Sequence, residues 1–377
     1  MKIPIKRLNK NIIYAIVFIF LFSRYFVTLQ SAFPTMVEVW KDYINMSIYI
    51  LLIVALVKFD LTVKGIALFA VFFLLSLLYQ TNEYFSLTHV FFFFISLYLA
   101  KLYTLNKKII LGLFFYSGLV YLALLFYLII DGKGFLHLLN EALYGRNYIG
   151  SVITVFILSG LALSTFRSNF LSLFGMAIVL ILKFRTSIVS FLLFTFLKYY
   201  KNKHFYLFLF TLLVIVEATM GISSIIFKWG EGVSVGGSRT EIWMYYLNFM
   251  IDNFPNSLLP YIFTEFDSHK PVYHYLSNET GAYHTIHNLF IDLFYRLGIV
   301  FGVVAILLLL LPVIFVKKNK LERNLYIALL IFGMLEPSLG FATNLISLFF
   351  YVMLFYLYLN IKFTWRSKFE KNINNNN

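Results

Sequence analysis

Residues Ile110–Ile130 read ILGLFFYSGLVYLALLFYLII, 21 positions without a charge. At a helical rise of about 1.5 Å per residue that is one crossing of the hydrocarbon layer of a bilayer. The run is continuously apolar and does not alternate residue by residue. It therefore predicts a helix and not a barrel strand. Val300–Val316 reads the same way. Outward from these two runs, the whole chain carries the same character. Of 377 residues, 61% are hydrophobic and 13% charged, with 45 Phe and 27 Tyr. One soluble core of this size does not cover that much apolar surface, and a disordered chain is excluded by the same composition. There is no cysteine, which removes disulfides, thiolate nucleophiles and Cys-ligated zinc.

The pattern predicts an all-α polytopic membrane protein with about twelve spans. They are expected near 11–30, 44–57, 65–79, 88–105, 109–130, 148–164, 170–184, 187–200, 205–226, 286–316, 325–337 and 340–361. The first follows Lys2, Lys6, Arg7 and Lys10, as a signal peptide would. No small-residue cleavage site follows it, so it is expected to be a retained helix. The net charge of +14 sorts by side. With the N-terminus inside and the spans alternating, the inner side holds 21 of the 31 basic residues and only Asp60, Glu322 and Glu370 of the acids, a balance of +18. The outer side holds 10 bases and 14 acids, a balance of −4. Positive residues collect on the inner side of membrane proteins, so both termini are expected inside. The basic composition is thus a topology signal and not a nucleic-acid footprint, since no basic stripe with interleaved aromatics lies outside the helix flanks. The chain divides into helices 1–9 (1–226), an external loop (227–285), helices 10–12 (286–361) and a low-complexity inner tail (362–377).

The external loop, Phe227–Thr285, is rich in Trp, Tyr and Phe, which predicts order. Within Glu241–Met250, Ile242, Tyr245, Tyr246 and Phe249 share one helical face, with Ser238 or Thr240 as candidate N-cap. The plain alternative is a helix lying on the bilayer, at the depth of a lipid-linked substrate. A shorter outer segment, Asp131–Asn147, ends in Gly145-Arg146-Asn147, and a tight turn is expected at Lys183-Phe184-Arg185-Thr186-Ser187.

Chemistry concentrates on the outer side. Arg185 lies where an arginine either faces a cavity or snorkels to headgroups. Arg239 follows Gly236-Gly237-Ser238 at a helix start, an arrangement that suits phosphate or a simple surface ion pair. His287-Asn288 opens the tenth span, and histidine is the natural general base in a chain without cysteine, although interfacial histidines are often structural. Arg296 follows nine residues later; Arg24, Glu217 and Glu336 are further charges near outer ends. His284 and His287 have a spacing compatible with a metal, but no carboxylate motif accompanies them, so no metal is expected. Glu265-Phe266-Asp267 resembles the acid pair of nucleotide-sugar transferases, on the side where nucleotide sugars are absent. Several arginines and one histidine on one face suit transfer of a group off a diphosphate, whose oxygens guanidinium forks bind.

Arg185-Thr186-Ser187, Ser238-Arg239-Thr240-Glu241-Ile242-Trp243, His287-Asn288-Leu289-Phe290 and Tyr295-Arg296-Leu297-Gly298-Ile299, in this order and sidedness, resemble the bacterial O-antigen polymerase and ligase superfamily. The resemblance implies a GT-C-like, metal-independent membrane glycosyltransferase without cofactor in the inner membrane, its large loop periplasmic and both termini cytoplasmic. Its donor would be an undecaprenyl-diphosphate-linked oligosaccharide; membrane lipids and a chain-length regulator protein are the other expected partners. Residue by residue, Arg185 and Arg239 match the arginines that hold the donor diphosphate, and His287 the residue that activates the acceptor hydroxyl. Arg146, Arg296 and Asn288 form a second rank. The Ser-Arg-Thr-Glu-Ile-Trp stretch and the Phe/Tyr-rich helices favour a polymerase, making O-antigen or capsule, over a ligase acting on lipid A core. A lipid-linked oligosaccharide flippase is the transporter alternative; no second copy of the 183–302 pattern supports it.

Overall fold

The structure, a computed structural model, describes residues 10–27, 43, 45–55, 62–79, 87–130, 143–181, 184–200, 239–260, 288–316, 319–335 and 344–361. These are all helical apart from short connections. The α-helices are α1 (Lys10–Val27), α2 (Asn45–Ala55), α3 (Val63–Tyr79), α4 (Leu87–Leu105), α5 (Lys107–Ile130), α6 (Leu143–Leu163), α7 (Phe166–Ile181), α8 (Arg185–Tyr199), α9 (Arg239–Asp252), α10 (Leu289–Phe315), α11 (Lys320–Leu335) and α12 (Leu345–Asn360). A 3-10 turn, Asn256–Leu258, follows α9. Eleven of the twelve expected spans coincide with a helix; the one at 205–226 lies outside the described residues. By length and composition, Lys107–Tyr127 and Leu289–Phe315 are able to cross a membrane, and seven shorter apolar helices accompany them. The chain is therefore compatible with a helical membrane protein.

Several helices start earlier than expected, whereas α10 and α12 start later, at Leu289 and not 286 and at Leu345 and not 340. Helix α6 begins at Leu143 and not 148, so Gly145-Arg146-Asn147 belongs to its first turn and not to a loop. Helix α11 begins at Lys320 and not 325. Helix α8 begins at Arg185, so the expected turn at 183–187 is shorter and Thr186 and Ser187 are helical. Apolar runs mark only the part of a helix that sits among apolar neighbours. Backbone hydrogen bonding continues into the polar ends, where an acid such as Glu322 also complements the helix dipole.

Helix α12 stands at the centre. Every residue from Leu345 to Tyr358 is buried, as expected of a helix that is apolar on all faces. Its start is fixed by the Asn344 side chain, which accepts from the Ser347 N–H at 2.8 Å. Its rings meet those of the surrounding helices edge-on or tilted: Phe355 with Phe72 of α3 at 5.2 Å, Tyr351 with Phe93 of α4 at 4.9 Å, and Phe349 with Phe114 of α5 at 4.7 Å. Such pairs are worth about 0.5–1.5 kcal/mol beyond the area they bury. This is where much of the aromatic composition goes.

Helix ends gather in two layers. In one, Lys64 Nζ donates to the Ile361 carbonyl at 2.8 Å, closing the end of α12. There too, Lys107 pairs with the buried Glu322 at 2.6 Å, Lys198 donates to Ser164 Oγ at 2.8 Å, and Asn324 donates to the Leu197 carbonyl at 3.0 Å. Lys64, Lys107, Lys198 and Glu322 are charges assigned to a single side in the sequence, and here they meet across helix pairs. The opposite layer holds Tyr79, Gly150, Phe184 and Asp292. Outward-facing surfaces are apolar: Val300, Val303, Val304 and Leu307 of α10 and Phe166, Phe170, Leu173 and Phe174 of α7 are exposed at helical spacing. Only 33% of the apolar stretch of α10 is buried inside the bundle. Exposed apolar faces of this kind are compatible with a membrane surrounding.

Candidate functional site

Two clusters in the second layer carry the candidate residues. The first joins the starts of α6 and α8. Phe184 is buried against Gly150, where an added Cβ would lie 2.2 Å from its ring. Only a glycine admits the ring that closely. Thr154 Oγ1 donates to the Gly150 carbonyl at 2.8 Å and accepts from the Ser187 hydroxyl, whose oxygen lies 3.2 Å from the same carbonyl. Phe184 also faces Phe332 of α11, 6.1 Å between ring centres. These contacts hold the first turn of α8 against the stretch Gly150–Thr154 of α6. Arg146 lies one turn before Gly150, and Arg185 directly after Phe184. The α8 start that carries Arg185 thus sits one turn along α6 from Arg146, although 39 residues separate the two arginines in the sequence. Unsatisfied N–H groups and the dipole at such starts attract anions.

The second cluster docks α9 on α10. Tyr246, Met250 and Tyr295 form a small core, with Trp243, Ile291 and Phe294 packed against it. The Tyr246 and Tyr295 rings are edge-on at 4.8 Å. Helix α10 is broken at Gly298, with φ 71° and ψ 167°. A Cβ there would lie 2.4 Å from the backbone of Leu259, so the segment after the 3-10 turn sits in the break. Ser257 Oγ ties that turn back to the Met250 carbonyl at 2.7 Å. The segment 239–260 is thus fastened at both the side and the end of α9. Arg239 is the first residue of α9, which places Thr240 inside the helix and removes it as an N-cap. At the start of α10, Asn288 is the cap: its side-chain oxygen accepts from Phe290 N–H at 2.9 Å and Ile291 N–H at 3.1 Å. Asn288 therefore holds the helix start. His287 and His284 lie outside the described residues. Helix α11 packs against both α8 and α10 and so lies between the clusters.

Arg296, in the second rank of the expected site residues, forms an ion pair within its own helix. Its Nε donates to Asp292 Oδ1 at 2.9 Å, and its guanidinium lies 4.7 Å over the Tyr79 ring. The other carboxylate oxygen of Asp292 accepts from the Tyr79 hydroxyl. Asp292 is buried, and this triad joins α3 to α10. The sequence reading overlooked Asp292 and Tyr79. The four-residue spacing of Asp292 and Arg296 on one helix was the available signal for the first; Tyr79, 213 residues away, left none. Arg24 differs from Arg296. It lies over Phe20 at 5.7 Å, and its buried Nε and Nη2 have no hydrogen-bond partner among the described residues. Among those residues no three His, Asp or Glu side chains gather as a metal site would require.

Set beside known proteins, the chain matches no family, no curated protein and no solved structure.

Proposed function

We propose that the chain is a twelve-span, GT-C-like glycosyltransferase of the bacterial inner membrane, an O-antigen or capsular polysaccharide polymerase. Both termini would be cytoplasmic and the 227–285 loop periplasmic. In the reaction, the acceptor hydroxyl of one undecaprenyl-diphosphate-linked repeat unit attacks the anomeric carbon of the growing glycan on another. The bond from that carbon to the diphosphate oxygen breaks, a glycosidic bond forms, and undecaprenyl diphosphate leaves. His287 takes the hydroxyl proton. Arg185 and Arg239 hold the diphosphate and stabilise the charge that develops on it as it leaves. Arg146 assists from the first turn of α6, and Asn288 fixes the helix start next to His287.

The observation that carries this reading is the junction of α6 and α8. Gly150, Phe184 and Ser187 set the start of α8, which carries Arg185, beside α6 one turn from Arg146, on the layer opposite the one where the lysines gather. An arginine is retained at such a place where an anion is to be held. The docking of α9 on α10 supports it further, because it anchors the Arg239 helix to the helix that follows His287. The reading is tested by deleting the gene and separating surface glycans on gels. A polymerase deletion leaves single repeat units on lipid A core. Loss of all attached glycan, with lipid-linked chains accumulating, would reassign the chain to a ligase. An unchanged ladder would contradict both.

A further inference from the structure

The apolar stripe on α10 continues beyond the helix. Val300 and Val304 lie on its outward face, exposed by 48% and 44%. Two residues before Val300 on the same helix, the Leu259 backbone fills the break at Gly298. Leu259 itself is 47% exposed, and in the same turn Ile251 and Phe254 are 69% and 62% exposed. These side chains are not on a loose tip. Ser257 Oγ holds the turn to the Met250 carbonyl, and Asn253 Nδ2 donates to the Phe249 carbonyl at 2.7 Å. A fixed turn that shows water three large apolar side chains within nine residues is unfavourable, and its polar neighbours Asp252 and Asn256 are exposed beside them. An apolar end next to a wet end, continuous with an apolar transmembrane stripe, is the pattern of a segment at a bilayer interface.

We infer that Ile251, Phe254 and Leu259 enter the outer lipid leaflet beside α10, their occupant being lipid acyl chains. The end of the loop helix is then held at headgroup depth, where the diphosphate of a lipid-linked substrate lies. The inference rests on the membrane reading of α10 proposed above.

The absence of cysteine makes the test direct. Single-cysteine variants Phe254→Cys, Asn248→Cys and Val304→Cys of the full chain are labelled with an environment-sensitive nitrobenzoxadiazole dye. They are then reconstituted into phosphatidylcholine and phosphatidylglycerol vesicles. Quenching by a nitroxide on the upper acyl chain is compared with quenching by aqueous iodide. The dye at 254 is expected to follow the dye at 304, quenched several-fold more by the lipid nitroxide, while the exposed Asn248 position shows the reverse. Iodide quenching at 254 with lipid quenching at 304 would overturn the inference and leave the membrane reading intact. Iodide quenching at both would overturn both. Protection of 254 from either quencher would mean a protein surface, such as a second copy of the chain, and would also overturn it.

Discussion

Arg185 and Arg296 are both arginines in the N-terminal parts of their helices, yet they are expected to fail differently. Arg296 is held by Asp292 and the Tyr79 ring, so its role is to join α10 to α3. Removing Asp292 leaves the half-buried Arg296 charge and the Tyr79 hydroxyl without their partner, at a cost of about 1–3 kcal/mol. Asp292→Ala should therefore lower the melting temperature of the detergent-solubilised protein markedly; an unchanged melting temperature would show the pair to be incidental. Arg185→Lys keeps the charge but loses the planar fork that grips a diphosphate. It is expected to leave the melting temperature unaltered and to shorten or abolish the glycan ladder. A normal ladder would remove Arg185 from the donor site. The same pair of residues shows what a sequence discloses at this scale. Asp292 and Arg296 are four residues apart on one helix, a relation that periodicity exposes. The hydroxyl of Tyr79 arrives from a different helix, and local spacing carries no trace of it.

Between helices, the account depends on two glycines, each needed for a different reason. At Gly298 the backbone takes a positive φ and the neighbouring chain leaves no room for a Cβ. Gly298→Ala would cost about 1–3 kcal/mol in backbone strain alone and would also push Leu259 out of the break. The expected outcome is a membrane-inserted, helical protein whose 239–260 segment is cut more readily by added protease. Unaltered cleavage would mean that the docking of α9 does not depend on the break. At Gly150 the conflict is with a side chain, the ring of Phe184. Gly150→Ala is expected to reduce stability, and Phe184→Ala to recover part of the loss when combined with it, a coupling that a double-mutant cycle measures. Additive losses would contradict the contact. Helix α9 was legible in advance from the common face of Ile242, Tyr245, Tyr246 and Phe249, because amphipathic spacing is a local property. Its docking partner was not. The early starts of α6 and α11 escaped for a related reason: their first turns are polar, and apolar runs were the guide to the ends.

For the molecule as a whole, charge sorting was the most informative sequence signal. It placed Lys64, Lys107, Lys198 and Glu322 together before any contact between their helices was known, and the described contacts between helix ends respect that grouping. It said nothing of which helix stands in the centre. Every span is apolar, so only packing distinguishes the buried α12 from the outward-facing α10. The sorting predicts sidedness in cells. A cysteine at Asn248 should react with a membrane-impermeant maleimide added from outside, and one at Lys108 should react only after the inner membrane is opened. The opposite pattern would invert the topology and place the candidate site on the wrong side for a lipid-linked donor. The central claim is chemical, that His287 takes the proton in glycan transfer. Its most direct test is the glycan ladder of a deletion strain carrying His287→Ala, at wild-type protein levels in the membrane. Single repeat units on lipid A core, without longer chains, are expected; a wild-type ladder would remove His287 from the reaction.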